Sequence, residues 1–442
     1  MTNPIGKISR QIQIPIPSPA YGDQVGLIFQ YARRLRVQLV GAMILAACLP
    51  AIIRVAPASS ELLGPVTVST LQNAVIGTSI AVLAGIVLLR QFVAFPGVSA
   101  ANYIIPSFAS SYGAVALVFF FLRLDYSRYQ FIVSFAVAIT WFYFIHFLTS
   151  RLAQPRLAII PGGDDDRLFE IEGAEWTRLK EPTENFQQFD GVVADLRADL
   201  SAHWERFIAA SVLAGWPVFH VKQVMESLTG RVSIEHLSEN SFGSVLPSLL
   251  YLRLKRVVDF AAAAVLLPFV LPVIAFAAVL IKIDSKGPMF FTQQRMGYRG
   301  RMFTMIKLRS MRVDMPEDKL STAANDPRIT TLGRFLRKYR IDELPQIFNV
   351  LKGDMSWIGP RPEPVKLADQ YEESIPFYAY RHAVRPGITG WAQVSQGYAA
   401  EIEAATTKLQ YDFYYIKYFS PWLDLLIVLR TIKTILTGFG SR

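Results

Sequence analysis

The sequence contains little cysteine, histidine or charge. Cys48 is the one cysteine among 442 residues and lies in an apolar run, which excludes a disulfide or a cysteine-based metal site within one chain. Five scattered histidines disfavour a histidine-based metal site. Only 18 % of residues are charged and 52 % are hydrophobic, too apolar a balance for an ordinary soluble protein. These shortages favour a membrane part joined to a polar part.

No signal peptide is visible at the N-terminus. Residues 1–30 are polar and rich in proline, without an apolar core. They are predicted to form a flexible tail, because Pro15, Pro17 and Pro19 prevent regular structure. The net charge of +10 can indicate nucleic acid, anionic lipid or phosphate ligands. The apolar composition makes lipid and phosphate the better expectations.

Four apolar runs follow within residues 31–150, at 37–53, 71–89, 103–122 and 131–148. Each approaches the roughly 20 residues needed to cross a bilayer, so this region is predicted to be a four-span transmembrane domain. Arg33, Arg34 and Arg36 precede the first run, which puts the N-terminus in the cytoplasm. Four crossings then return the chain to the cytoplasmic face.

Residues 151–240 change in character. Strand signals at 157–160, 191–194 and 218–221, with a helical stretch at 202–213, predict a small Rossmann-like α/β module. The segment Pro161-Gly162-Gly163-Asp164 departs from G-x-G-x-x-G, and its acidic residues would repel a pyrophosphate. A structural or oligomerisation role is therefore preferred to nucleotide binding, and the module is compatible with a homodimer.

A third region, 250–442, opens with an apolar run at 257–283 that contains Pro268 and Pro272. Each proline removes a backbone hydrogen bond and can kink or break a helix. Lysine and arginine flank both ends of the run, which favours keeping both ends in the cytoplasm. We therefore predict a re-entrant membrane helix over 255–283.

The adjacent carboxylates Asp342 and Glu343 are the candidate reacting groups. Pro345 suits a first helical turn and Gly353 a helix stop, so a helix is expected from about Asp342 to Leu351. Asp342 then lies at or near the N-cap and Glu343 in the first turn, where a phosphoryl group could bind and a nucleophilic carboxylate would stay ionised. Two such carboxylates call for a cation, with Mg²⁺ expected and Mn²⁺ as an alternative. Helix capping alone also explains the dipeptide.

The basic residues around this pair favour the chemical interpretation. Lysine and arginine outnumber aspartate and glutamate between residues 286 and 366. Arg337 lies five residues before Asp342, and Arg361 is held between two prolines. An arginine with a planar guanidinium and a largely fixed backbone is well suited to bind a phosphate.

The motifs together resemble a known family. Residues 253–437 are similar to the catalytic domain of bacterial sugar transferases, the monotopic polyprenyl-phosphate phosphoglycosyl transferases. The four spans and the α/β module resemble the large form of that family. The motifs that carry the resemblance are Lys255-Arg256-x-x-Asp259, Lys307-x-Arg309-Ser310-Met311, Asp342-Glu343-Leu344-Pro345-Gln346, Gly359-Pro360-Arg361-Pro362 and Arg385-Pro386-Gly387-Ile388-Thr389-Gly390-Trp391.

The resemblance implies a fold and roles for individual residues. The fold would be an α+β membrane protein, with a four-helix transmembrane bundle, a Rossmann-like module and a mostly helical monotopic catalytic domain. Asp342 matches the family's nucleophile and Glu343 its Mg²⁺-coordinating partner. Arg337 would engage polyprenyl phosphate, and Arg361 would lie near the nucleotide. Lys307, Arg309 and Arg385 would contact substrate.

The sequence departs from the family pattern at two places. Leu271 stands where the family often has serine before the helix proline, so the kink would be supported differently. Tyr339, Arg340 and Ile341 replace an expected run of small residues, which weakens inference about the sugar pocket rather than about the chemistry.

The expected activity is transfer of a sugar-1-phosphate from a UDP-sugar to undecaprenyl phosphate, with release of UMP. A covalent aspartyl-phosphosugar intermediate is expected. The reaction would begin exopolysaccharide, capsule or O-antigen synthesis at the cytoplasmic face of a bacterial inner membrane. Its partners would be the UDP-sugar, polyprenyl phosphate and membrane lipid, and no nucleic acid. A non-catalytic membrane scaffold of a polysaccharide assembly complex is the alternative, and the sugar stays open.

Overall fold

The computed structural model describes residues 34–56, 61, 67–94, 100–150, 155–182, 189–232, 249–312, 326, 328–395 and 402–437. They form a mixed, mostly helical fold with small sheets. The chain divides into two compact units, Met1–Gly230 and Arg231–Arg442. The predicted tail at 1–30 and the predicted boundary near residue 240 lie outside the described residues.

Four long apolar helices fill the first part of the N-terminal unit, at the four predicted runs. Each is long and apolar enough to cross a membrane. The helices are α1 (Leu35–Val55), α2 (Val68–Val93), α3 (Ala100–Phe121) and α4 (Arg128–Ser150).

Small residues let these helices pack closely. A Cβ on Gly77 or Gly85 of α2 would stand 2.5 Å from a ring atom of Phe119 or Phe108 on α3. Glycine at such points lets apolar helices approach without a hydrophobic driving force between them. The buried Gln130 of α4 donates to the carbonyl of Ala47 at 2.8 Å, where α1 widens into a π-helical turn.

The same unit contains a four-stranded parallel sheet in the order β2-β1-β3-β4. Three strands and the first helix confirm the predicted α/β elements. The second strand was not predicted, because its edge position leaves Glu175–Arg178 largely exposed and without an apolar run. The elements are β1 (Arg156–Ile159), β2 (Glu175–Arg178), β3 (Gly191–Ala194), α5 (Ala202–Leu213), β4 (Val218–His220) and α6 (Val221–Thr229).

The C-terminal unit begins with a 36-residue helix, followed by an antiparallel hairpin and short helices around a parallel strand pair, β7–β8. Its elements are α7 (Leu249–Asp284), β5 (Phe290–Met296), β6 (Met302–Leu308), α8 (Thr331–Lys338), α9 (Ile347–Lys352), β7 (Ser356–Ile358), α10 (Val365–Ser374), β8 (Gly387–Thr389), α11 (Trp391–Ser395), α12 (Ile402–Lys417) and α13 (Pro421–Thr437).

The helix α7 continues through Pro268 and Pro272 without interruption. Each proline removes a single backbone donor, and the hydrogen bonds of the neighbouring turns can keep the chain helical. The two prolines therefore do not break the helix. The kink and the re-entrant path stay predictions.

One hydrophobic core joins α7 to the elements that carry the candidate site. Ala263, before the prolines, and Ile281, after them, belong to the same cluster as Leu308 of β6 and Val350 of α9. The core therefore fixes β6 and α9 against both halves of α7.

Candidate active site

The two carboxylates lie in a 3₁₀ segment, Ile341–Gln346, that leads directly into α9. Arg340 holds the N-cap position with φ 54°, so the helix begins slightly before the predicted N-cap at Asp342. Asp342 and Glu343 fall in the first turn, and Gly353 ends α9 as predicted, with φ 97°. The helix start therefore presents adjacent side chains that are only 8 % and 5 % exposed.

Three cations surround the Glu343 carboxylate. Its Oε1 accepts from Lys307 Nζ at 2.8 Å and from Arg361 Nη1 at 3.1 Å. Its Oε2 accepts from Arg340 Nη1 at 3.4 Å. Burial alone would raise the pKa of Glu343, but these three charges hold it well below its ordinary value. We refer to Lys307, Arg340 and Arg361 as the cation cage.

The Asp342 carboxylate is held differently. No hydrogen bond or ion pair to another described residue engages it. Burial, and then the charge of Glu343, raise its pKa to about 6, while Lys307 and Arg337 oppose the rise. An unengaged carboxylate beside a fully engaged one is the arrangement expected of a nucleophile next to a fixed electrostatic partner.

Arg337 reaches this site through a close packing contact. A Cβ on Gly333 would lie 2.0 Å from the carbonyl oxygen of Ser310, so only glycine lets α8 pack against that segment. One turn later, Arg337 Nε donates to Ser310 Oγ at 2.8 Å. Burial lowers the pKa of Arg337, and the charge of Asp342 opposes this. Arg337 therefore adds positive potential on the side of Asp342.

Two other arginines hold the backbone of the loop that carries Arg361. Arg381 Nη2 donates to the carbonyl of Arg361 at 2.9 Å, and Arg295 Nη1 donates to that of Pro362 at 2.8 Å. Arg381 is itself buried against Asp412, at 2.7 Å. The backbone of Arg361 is thereby immobilised, as the flanking prolines predict.

Arg309 and Arg385 are not brought to the carboxylates. Arg309 donates to the carbonyls of Ser285 at 2.6 Å and Lys286 at 2.9 Å, where α7 ends. Unpaired carbonyls at a helix end need such donors. Arg385 donates to the carbonyl of Gly353 at 3.1 Å, at the far end of α9. The geometry gives both arginines contacts with the scaffold, and their contact with substrate stays a prediction.

The arrangement does not fit a Mg²⁺ ion in the absence of substrate. The described residues contain no group of three or more His, Cys, Asp or Glu that could hold a metal. Mg²⁺ needs near-octahedral oxygen ligands, and Asp342 offers the open carboxylate here. Glu343, the predicted ligand, is occupied by the cation cage.

Sequence reasoning missed three residues near the site. Arg340 was noted only as a departure from the family pattern, although it pairs with Glu343. Arg381 and Asp412 form a buried pair behind Arg361. The available signal was Asp412, a charged residue within the aromatic run 411–415.

Comparison with known proteins identifies the family. The bacterial sugar transferase family matches residues 250–438. A relative from Aeromonas hydrophila, named UDP-N-acetylgalactosamine-undecaprenyl-phosphate N-acetylgalactosaminephosphotransferase, is 48 % identical over 405 residues, which cover 91 % of this chain and 95 % of the relative. The chain belongs to the bacterial sugar transferase family.

Two further relatives match less than half of this chain. Both are named UDP-glucose:undecaprenyl-phosphate glucose-1-phosphate transferase. The one from Escherichia coli K12 is 43 % identical over 183 residues, 40 % of this chain and 39 % of the relative. The one from Caulobacter vibrioides is 44 % identical over 199 residues, 44 % of this chain and 74 % of the relative.

Proposed function

We propose that the protein transfers a sugar-1-phosphate from a UDP-sugar to undecaprenyl phosphate and releases UMP, which begins the assembly of a surface polysaccharide. The observation that carries this proposal is the buried, unengaged carboxylate of Asp342 beside the caged carboxylate of Glu343. The relatives' names describe the same transfer. A membrane scaffold would have no use for this excess of buried positive charge.

The proposed chemistry has two displacements. A carboxylate oxygen of Asp342 attacks the β-phosphorus of the UDP-sugar, and the bond from that phosphorus to the bridging oxygen breaks. UMP leaves with the bridging oxygen, and the sugar phosphate stays on Asp342 as an acyl phosphate. A phosphate oxygen of undecaprenyl phosphate then attacks the same phosphorus, and the carboxylate is restored. One diphosphate replaces another, so the reaction lies near equilibrium.

The cations have separate parts in this scheme. Lys307 and Arg361 converge on one oxygen of Glu343, close to where a diphosphate would reach Asp342. They would bind the phosphates and stabilise the negative charge of the leaving UMP. Arg337, on the Asp342 side, would hold the phosphate of the lipid acceptor.

The sugar is proposed to be N-acetylgalactosamine. The relative that aligns over nearly the full length of both chains has this sugar in its name. The relatives from E. coli and C. vibrioides that are named for glucose align over less than half of this chain. Residues outside the region that aligns with those two relatives would then determine which sugar is used. The sugar would be the one in the name of the relative that aligns over nearly the full length.

A panel assay tests this function. Purified protein is incubated with undecaprenyl phosphate, Mg²⁺ and each of UDP-N-acetylgalactosamine, UDP-N-acetylglucosamine, UDP-galactose and UDP-glucose, and UMP release is scored. UDP-N-acetylgalactosamine should give the fastest release, and EDTA should abolish it. No UMP from any donor would overturn the proposed transfer, whereas preference for another sugar would overturn only the specificity.

The catalytic unit is proposed to lie on the cytoplasmic face of a bacterial inner membrane, with α7 entering the bilayer and returning. A straight 36-residue helix is about 54 Å long. Yet Arg256, near its start, donates to the carbonyls of Val350 and Leu351, while Arg309 caps its end. Both ends thus contact one compact unit, although the middle exposes large apolar side chains such as Phe269, at 72 %.

Accessible cysteines test the re-entrant path. In a Cys48→Ala background, Leu250→Cys and Lys286→Cys should escape an impermeant maleimide in intact cells and react after permeabilisation. Leu124→Cys, in the loop predicted to face the periplasm, should react in intact cells and is the positive control. Labelling of position 250 or 286 in intact cells would exclude the proposed path.

A further inference from the structure

The Glu343 carboxylate has little capacity left for another ligand. An ionised carboxylate offers about four lone-pair positions. Oε1 uses two of them for Lys307 and Arg361, and Oε2 uses one for Arg340. The side chain is 5 % exposed, so water does not screen these charges well.

A divalent cation cannot readily join this arrangement. Mg²⁺ binds oxygen at about 2.0–2.1 Å with near-octahedral geometry. An ion at that distance from Glu343 would stand against all three charges of the cation cage. It would have to displace at least one of them, and Asp342 alone supplies too few oxygens for a site.

A diphosphate changes this balance. Four cations, the cage and Arg337, surround two carboxylates, so the site has an excess of two positive charges. The diphosphate of a nucleotide sugar carries two negative charges and offers oxygens to Lys307 and Arg361. Those side chains can then exchange Glu343 for phosphate, which frees carboxylate oxygens beside an oxygen-rich ligand. Carboxylates together with substrate phosphates are the usual setting for Mg²⁺.

We infer that the free protein does not hold its divalent ion, and that the ion enters only with, or after, a nucleotide diphosphate that draws the cation cage away from Glu343. This inference rests on the proposed function and adds an order of binding to it. Glu343 holds the cage together before substrate arrives and becomes available to the ion afterwards.

Binding of Mn²⁺, measured by loss of the free-ion signal in electron paramagnetic resonance, tests the inference without turnover. The full-length protein in detergent is titrated alone and with the methylene-bridged analogue of UDP, which resists cleavage. The analogue, after correction for the Mn²⁺ it binds in solution, should tighten binding to the protein at least tenfold. Equal Mn²⁺ affinity with and without it would overturn the inference alone, whereas no binding of the analogue under any condition would overturn the proposed function as well.

Variants of the cation cage should change the affinity for the UDP analogue and the affinity for Mn²⁺ in opposite directions. Lys307→Met should weaken binding of the analogue and strengthen binding of Mn²⁺ to the free protein, because Glu343 loses a partner. Arg340→Asn, which suits the left-handed backbone at this position, should strengthen Mn²⁺ binding in the same direction. Lys352→Met changes an exposed lysine of α9 and should leave free-protein Mn²⁺ binding unchanged. Weaker Mn²⁺ binding by both folded cage variants would show that the cage does not exclude the ion.

Discussion

Two of the buried clusters of charge in the C-terminal unit differ in balance. In the catalytic cluster, Lys307, Arg337, Arg340 and Arg361 face Asp342 and Glu343. In the second cluster, Arg381 pairs with Asp412 at 2.7 Å, and Lys408 pairs with Glu363. In the second cluster each carboxylate is paired with a cation, whereas the catalytic cluster has a positive excess and one unengaged carboxylate. Burial of charge is thus common to scaffold and site, and the catalytic cluster differs from the second one by its positive excess and its unengaged carboxylate.

The largest effect should follow from removal of the unengaged carboxylate. Asp342→Asn keeps the size of the side chain but removes the nucleophile, so UMP release should fall by several orders of magnitude. Release is measured with a radiolabelled UDP-sugar, and thermal unfolding in detergent confirms that the variant is folded. Turnover within about tenfold of the parent would exclude Asp342 as the nucleophile.

A substitution in the second cluster should mainly lower stability, whereas a substitution in the catalytic cluster should mainly lower activity. Arg381→Met leaves Asp412 buried without its partner and should lower the free energy of unfolding by about 3–5 kcal/mol. Lys307→Met should lower it by less, because Glu343 keeps Arg340 and Arg361 and the positive excess falls.

Denaturant titration in mixed micelles measures both variants. Activity should rank them in the reverse order at a temperature where both are folded, with Lys307→Met the slower enzyme. Equal losses of stability would mean that the imbalance has no energetic consequence.

A smaller effect is expected from changing the shape of one cation. Arg361→Lys keeps the charge but loses the planar fork that can bind two oxygens. The value of kcat/KM for the UDP-sugar should fall about 10–100-fold, which corresponds to ~1.4–2.8 kcal/mol. Arg334→Lys, at an exposed position of α8, is the matched control and should leave kcat/KM unchanged. Identical kinetics for the two variants would make Arg361 a surface charge without a role in binding.

Local patterns predicted the helices well because length and apolar content determine them. The four N-terminal runs became helices of 21 to 26 residues, and α9 ends at Gly353 as predicted. The start of the catalytic helix was misplaced only slightly, since Arg340 adopts a left-handed conformation that its residue type does not announce.

The partners of the catalytic residues were harder to predict, because they lie far apart in sequence. Lys307 and Arg309 looked equivalent in one motif, and side chains two apart share a face of a strand. However, β6 ends at Leu308, so Arg309 leaves the strand and turns to the end of α7. Nor could the spacing of residues in the sequence show that Glu343, rather than Asp342, forms ion pairs with three cations.

The smallest predicted effect is the pH dependence of the first displacement. The pKa of Asp342 is raised to about 6, first by burial and then by Glu343, from an ordinary value of 3.8. The attacking form is the carboxylate, so the rate should be constant above pH 7 and fall about tenfold for each unit well below pH 6. The linked stability has the opposite sense: protonation of Asp342 stabilises the fold below pH 3.8, and this contribution is lost as the pH rises through about 6.

The acceptor must be left out of this measurement, because a phosphate monoester also titrates near pH 6. A single burst of UMP, with enzyme in excess over UDP-sugar and no undecaprenyl phosphate, reports the first displacement alone. Arg337→Gln sharpens the test: Arg337 lowers the pKa of Asp342, so the midpoint of the burst rate should move to higher pH in this variant. A burst rate that stays constant down to pH 5, or a midpoint that moves to lower pH in Arg337→Gln, would contradict the assignment of this titration to Asp342. In the substrate-free protein the cation cage holds the pKa of Glu343 well below this range.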